Sequence, residues 1–99
     1  MAKKRRVLDE ETVEQWLQDH KGWRLQEGAI VKEFKFKSFR DSIVFVNRVA
    51  TIADDANHHP DVDIRFSRVT ISLTTHDVGG LTKTDLDVAK TIDFATSAR

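Results

Sequence analysis

Residues 38–73 read SFRDSIVFVNRVATIADDANHHPDVDIRFSRVTISL, and two changes of pattern inside this stretch decide the fold. Ser38 followed three residues later by Asp41 has the spacing of a capping box. Phe39, Ile43, Val46, Val49, Ala50 and Ala53 then trace a stripe of period 3.6, which predicts a helix over 39–56. Asn57 suits a left-handed C-terminal residue, and Pro60 biases His59 toward extended backbone, so the helix should stop just before the paired histidines. Beyond the break the period falls to two. Val62, Ile64 and Phe66 alternate, Ser67 and Arg68 sit at a tip, and Val69, Ile71 and Leu73 alternate back, as in a β-hairpin.

The flanks repeat the same grammar. Val13, Trp16, Leu17 and His20 fall at helical spacing behind Asp9 as N-cap, with Glu10 and Glu11 in the first turn and Gly22 placed to end a helix over about 9–20. Trp23 and Leu25, a turn at Gly28, and Ile30, Phe34 and Phe36 read as a first hairpin. After Gly79 and Gly80, Thr82 with Asp85 again shows capping-box spacing, and Leu86, Ala89, Ile92 and Ala95 form the buried stripe of a last helix. The order α-β-β-α-β-β-α implies an α+β fold, a four-stranded antiparallel sheet with helices packed on one face. Thr70, Ser72, Thr74 and His76 fall on the face opposite Val69, Ile71 and Leu73, where either solvent or a subunit contact fits them.

With 99 residues and apolar positions spread evenly from Val7 to Phe94, the chain reads as one domain, 1–99, with 1–8 as a flexible basic arm. The absence of cysteine removes thiolate nucleophiles, cysteine zinc sites and disulfides from consideration. Sixteen basic residues balance sixteen acidic ones, which argues against a field for direct nucleic-acid binding despite the Lys3, Lys4, Arg5, Arg6 cluster. Asp9, Glu10 and Glu11 follow that cluster where a signal peptide would place an apolar run, and no stretch approaches a membrane span. A soluble, cytoplasmic protein is the expectation.

Three histidines are candidates for chemistry: His58 and His59 at the end of the central helix, and His76 just past the last strand. Each has an ordinary structural explanation, His58 as a cation at a helix C-terminus, His59 as a loop residue, His76 as a polar strand end. Their conjunction, on segments that a sheet and one covering helix can bring to a common edge, is what singles them out. An unperturbed pKa of ~6.5 lets one ring donate and another accept a proton near neutrality. The same trio with Asp54 or Asp85 also suits zinc, although adjacent histidines lack the i, i+4 spacing that places two ligands on one helical face. Asp85 fits a capping role toward the Thr82 N–H, and Asp54, one turn before His58, fits either an orienting contact with that ring or a surface pair. Gly79 and Gly80 lack the further glycines of a phosphate-cradling loop and read as turn residues.

The run Asp54, Asn57, His58, His59, Pro60, Asp61, then Phe66, Thr75, His76, Gly80, Leu81 and Asp85 closely resembles the signature of the pterin-4a-carbinolamine dehydratases. Trp23 with Leu25, the Phe34, Phe36, Phe39 run and the Val44 to Ala50 stretch extend the likeness over nearly the whole chain. One departure is conservative: Asp54 stands where a Glu is common, which shortens the carboxylate's reach. The resemblance implies an α+β sandwich that assembles as a dimer or tetramer. It implies a hydro-lyase that converts 4a-hydroxytetrahydropterin to quinonoid dihydropterin and water, recycling the pterin used by an aromatic amino acid hydroxylase. It implies catalysis by His58, His59, His76 and Asp85 with neither metal nor other cofactor. It also implies substrate binding at Asp54, His58, His59, Pro60, Thr75, His76, Asp77 and Val78. His59 and His76 are expected to flank the leaving hydroxyl and the ring nitrogen, with His58 tuning them or acting as second proton carrier. A rival reading is a non-catalytic dimerisation module for a protein such as a transcription factor, a role that members of the family can also play.

Overall fold

Antiparallel pairing joins the two expected hairpins into one sheet in the order β1-β2-β4-β3. The computed structural model describes residues 6–97. Its elements are α1 (Glu10–Asp19), β1 (Arg24–Gln26), β2 (Ala29–Lys35), α2 (Phe39–Ala56), β3 (Asp61–Arg65), β4 (Arg68–Leu73), a 3₁₀ turn (His76–Val78) and α3 (Lys83–Ser97). The α+β architecture and the α-β-β-α-β-β-α order thus match those read from the sequence. Among the described residues no helix is long and apolar enough to cross a membrane.

Alternation along the two central strands sets the core. Ile30 and Phe34 of β2 and Val69, Ile71 and Leu73 of β4 share one face, and Ile30, Val69, Ile71 and Leu73 are fully buried. Val13 of α1, Phe45 and Val49 of α2, and Leu86, Ala89 and Ile92 of α3 join the same cluster, so all three helices cover that face. Fully burying each of the large aliphatic side chains contributes about 1.5–3 kcal/mol relative to leaving it in water. Ser72 and Thr70 lie on the other face, half-buried between Val31 and Asp61 and between Glu33 and Asp63 of the neighbouring strands.

Three local expectations need correction. The buried stripe of α2 is Ser42, Phe45, Val49 and Ala53, rotated roughly 60° from the expected one at 100° per residue. The helix is apolar on two sides. Phe45 faces the sheet, while Phe39 is 49% exposed and Ala50 lies on the surface. Ser42 is tolerated inside because its hydroxyl donates to the Ser38 carbonyl. At the second hairpin Phe66 is not a strand residue. It occupies the turn with φ 54°, 70% exposed and stacked at 6.4 Å on Phe39, and the strands resume at Arg68 opposite Arg65. Finally, β4 ends at Leu73, so His76 opens a 3₁₀ turn instead of continuing the Thr70–Ser72 face.

The caps follow the sequence closely. Ser38 Oγ accepts the Asp41 N–H, and Asn57 takes the left-handed conformation (φ 49°, ψ 44°) that closes α2. At α1 the Asp9 carboxylate accepts the Thr12 N–H at 2.8 Å. The Thr12 side chain and then its backbone N–H hold the Asp9 carboxyl below the ordinary carboxylate range. A lowered folded-state value makes the cap's stabilisation complete above the unfolded value of 3.8 and lost as the pH falls through the lowered one. An Asp9→Ala protein is therefore expected to melt below wild type near neutral pH, the gap closing as acid is added. Parallel thermal melts across that range check it. The basic cluster at Lys3, Lys4 and Arg5 lies outside the described residues, whereas Leu8 donates its N–H to the Leu81 carbonyl at 2.8 Å and packs on the core. By Leu8 the chain is anchored to the fold.

Candidate active site

The left-handed Asn57 turns the chain out of α2, and the His58 N–H then reaches back to the Ala53 carbonyl at 3.0 Å. This closure points the His58 ring inward, where it is only 7% exposed. Its Nε2 meets Asp85 Oδ1 of α3 at 2.5 Å. Asp85 is fully buried. Its other oxygen, Oδ2, accepts the Thr75 hydroxyl at 2.7 Å and the Thr82 N–H at 2.9 Å. The Thr75 and Thr82 hydroxyls meet at 2.9 Å, and because the Thr75 proton is given to Asp85, the Thr82 hydroxyl donates to Thr75.

Asp85 thus has both oxygens satisfied inside the fold, Oδ2 by the Thr75 hydroxyl and the Thr82 N–H and Oδ1 by its contact with His58 Nε2. Burying a charge without such partners would cost several kcal/mol. The expected capping role of Asp85 toward Thr82 and its contact with a histidine coexist on its two oxygens. The Thr82 hydroxyl, which a full capping box would direct at the Asp85 N–H, serves Thr75 instead. No buried side-chain nitrogen or oxygen among the described residues is left without a partner. His58 Nδ1, which has no hydrogen-bond partner among the described residues, therefore lies at the surface opening of this network.

The network ties the end of α2 to the loop after β4. Thr75 is buried, and its carbonyl accepts the N–H groups of Val78 at 3.2 Å and Gly79 at 3.0 Å, while its own N–H goes to the Gly80 carbonyl at 3.0 Å. Gly79 closes this loop at φ 70°, a conformation open to glycine at little cost. His76 and Asp77 project from the loop into solvent, and Val78 is half-buried. His59 and His76 each follow directly on a residue fixed by the network, His58 in one case and Thr75 in the other.

Asp54 does not hold His58. The backbone turn at Asn57 breaks the i, i+4 relation, and it is His59 Nε2 that meets Asp54 Oδ1, at 2.9 Å, both side chains being more than half exposed. An apolar cleft of 180 Å³ opens beside this pair, lined by Val46, Val49, Ala50, Ala53, Pro60 and Val62. The wider hollow along α1, lined by Trp16, Gln15 and Leu86 among others, contains none of the three histidines. Among the described residues no three histidine or carboxylate side chains converge as a metal-binding group. Sequence reasoning paired the Thr82 N–H with Asp85 but missed the Thr82 hydroxyl as a network member and Thr75 as a side chain turned inward. Hydroxyls are common in turns, and only the three-dimensional approach of α3 distinguishes these two.

Fold and site together define a small α+β domain with a buried histidine–carboxylate pair and two exposed histidines carried on segments that the pair fastens together. The chain belongs to the pterin 4 alpha carbinolamine dehydratase family, whose model matches residues 6–95. A protein of Roseiflexus sp. (strain RS-1), named "Putative pterin-4-alpha-carbinolamine dehydratase", is 50% identical over 86 residues, covering 87% of this chain and 92% of that protein. A protein of the same name from Thermomicrobium roseum is 47% identical over 83 residues, 84% of this chain and 89% of its own. The crystal structure of a transcriptional coactivator/pterin dehydratase from Brucella melitensis superposes with a TM-score of 0.85 at 30% identity, covering 89% of this chain and 96% of that one.

Proposed function

We propose that this protein dehydrates a 4a-hydroxytetrahydropterin by general acid–base catalysis through histidine, as the recycling step that follows an aromatic amino acid hydroxylase, in the cytoplasm and as a homodimer or homotetramer. The observation that carries this reading is the His58–Asp85 contact between the end of α2 and α3, with Thr75 on the second carboxylate oxygen. It gathers the segments bearing all three histidines.

The reaction asks little of the protein beyond placed protons. The bond from C4a to the hydroxyl oxygen breaks as the neighbouring nitrogen's lone pair forms a C=N bond. The departing oxygen takes a proton from an acid, the nitrogen gives its own to a base, and water leaves. An acid and a base each supply typically ~10²–10⁴-fold. His59 and His76, exposed at the surface, take the positions at the leaving hydroxyl and the ring nitrogen, and Asp54 orients His59. His58 is the second proton carrier through Nδ1, the ring nitrogen left over when Asp85 takes Nε2. Backbone groups of His58 to Pro60 and Thr75 to Val78 hold the flat ring. The test is the rate at which purified protein, with chelator present, accelerates decay of freshly generated 4a-hydroxytetrahydropterin, followed by ultraviolet absorbance. Acceleration is expected, and its absence from folded protein would remove the enzyme reading.

A second reading, a binding module for a protein partner, is favoured by the stacked Phe39–Phe66 pair displayed on the surface. It finds a parallel in the transcriptional coactivator/pterin dehydratase of Brucella melitensis. It predicts a Phe39→Ser, Phe66→Ser protein that keeps any turnover and loses the partner.

A further inference from the structure

The Thr75 and Thr82 hydroxyls take no part in the reaction as proposed, yet they are buried in the network behind His58. We infer that Thr75, backed by Thr82, is a positioning residue that sets which nitrogen of His58 faces the substrate. The inference rests on the dehydratase reading for its effect on rate, but not for its effect on the ring.

A carboxylate offers two chemically equal oxygens, and on its own Asp85 could present either, or turn both, toward an imidazole. Here Oδ2 is clamped by the Thr75 hydroxyl at 2.7 Å and the Thr82 N–H at 2.9 Å, which fixes the carboxylate plane and leaves Oδ1 for His58. The Thr82 N–H is set by the start of α3. The Thr75 proton, by contrast, depends on a rotatable hydroxyl, and the Thr82 hydroxyl fixes its direction by donating to the same oxygen from behind. Asp85, a carboxylate, can only accept, so what Thr75 and Thr82 supply is its orientation: with Oδ2 held, Oδ1 stays aimed at His58, and without the Thr75 proton the carboxylate is free to turn away from the ring. The ring is held as the Nε2–H tautomer with Nδ1 outward. Thr75 is also the residue whose carbonyl closes the 75–80 loop, so one side chain's orientation governs His58 while its backbone governs the loop that carries His76.

Long-range ¹H–¹⁵N spectra of the histidine rings, recorded where the rings are neutral, test this on the free protein. Wild type should show His58 protonated at Nε2; a predominant Nδ1–H form overturns the inference outright, whether or not any variant folds. Thr75→Val, which keeps shape and removes the proton, should mix the His58 tautomers and lower kcat about tenfold with KM changed less than about twofold, and Thr75→Ser should restore both. Thr82→Val should shift the ring in the same direction by less. A folded Thr75→Val protein with wild-type tautomer overturns the proposal, even if its rate falls, because the loss is then merely structural. A tautomer shift in a protein that never dehydrates the pterin supports the positioning role and defeats the dehydratase reading alone.

Discussion

An Asp85→Asn protein is expected to fold and to turn over 4a-hydroxytetrahydropterin about 10²–10⁴-fold more slowly than wild type, through kcat. The reason lies in which end of the amide goes where. The Oδ2 position receives two donors, the Thr75 hydroxyl and the Thr82 N–H, so the amide oxygen must settle there. The NH₂ group then confronts His58 Nε2 across the position now spanned by 2.5 Å. Two donors cannot share that contact, so Nε2 gives up its hydrogen and becomes the acceptor. The proton moves to Nδ1, the opposite of what an outward base needs, and the ring also loses the negative charge that balances its imidazolium form. Stopped-flow absorbance with circular dichroism as a folding control checks the prediction. A kcat within a few-fold of wild type would show that His58 takes no part.

The second large effect is expected from replacing both exposed histidines. A His59→Ala, His76→Ala protein should lose about 10²–10⁴-fold in turnover, the contribution of one acid or base, and more where the two act together. Its melting temperature should stay close to wild type. His59 is 59% exposed and its pair with Asp54 lies in solvent, where such pairs contribute little, and His76 projects from the loop without burying its ring. The contrast with Asp85 is diagnostic, since there a loss of rate and a loss of stability arise from the same buried contact. Unchanged turnover in the double variant would shift the chemistry to His58 alone or, if wild type is also inactive, favour the partner-binding reading.

Local features were legible in the sequence, and non-local ones were not. The span of α2, the left-handed Asn57 and the halt before His58 follow from neighbours within a turn of one another, and the structure reproduces them. The face that α2 buries was misread because its apolar residues cover two sides, and periodicity cannot say which side meets the sheet. Phe66 passed for a strand residue because alternation ran through it, while its positive φ belongs to turn geometry that an aromatic residue gives no reason to expect. At the site, the residue types were visible but their partners were not. Asp54 lay one helical turn from His58 and was the obvious companion, whereas the actual one is 27 positions away. Only the packing of α3 against α2 creates that contact.

The distance along the chain between His58 and Asp85 has a consequence for how the protein acquires its competence. A chain that has formed both hairpins and α2 already possesses all three histidines, but nothing yet to fasten His58 or the loop behind His76, because the anchoring carboxylate rides on α3. Docking of α3 brings Asp85, Ile92 and Ala89 into place together, in one cooperative event. Core and site are thus completed by the same helix, since α3 supplies Ala89 and Ile92 to the core beneath the sheet and Asp85 to His58. In the proposed dehydratase, turnover regained on refolding would therefore return together with the far-ultraviolet signal of the whole fold.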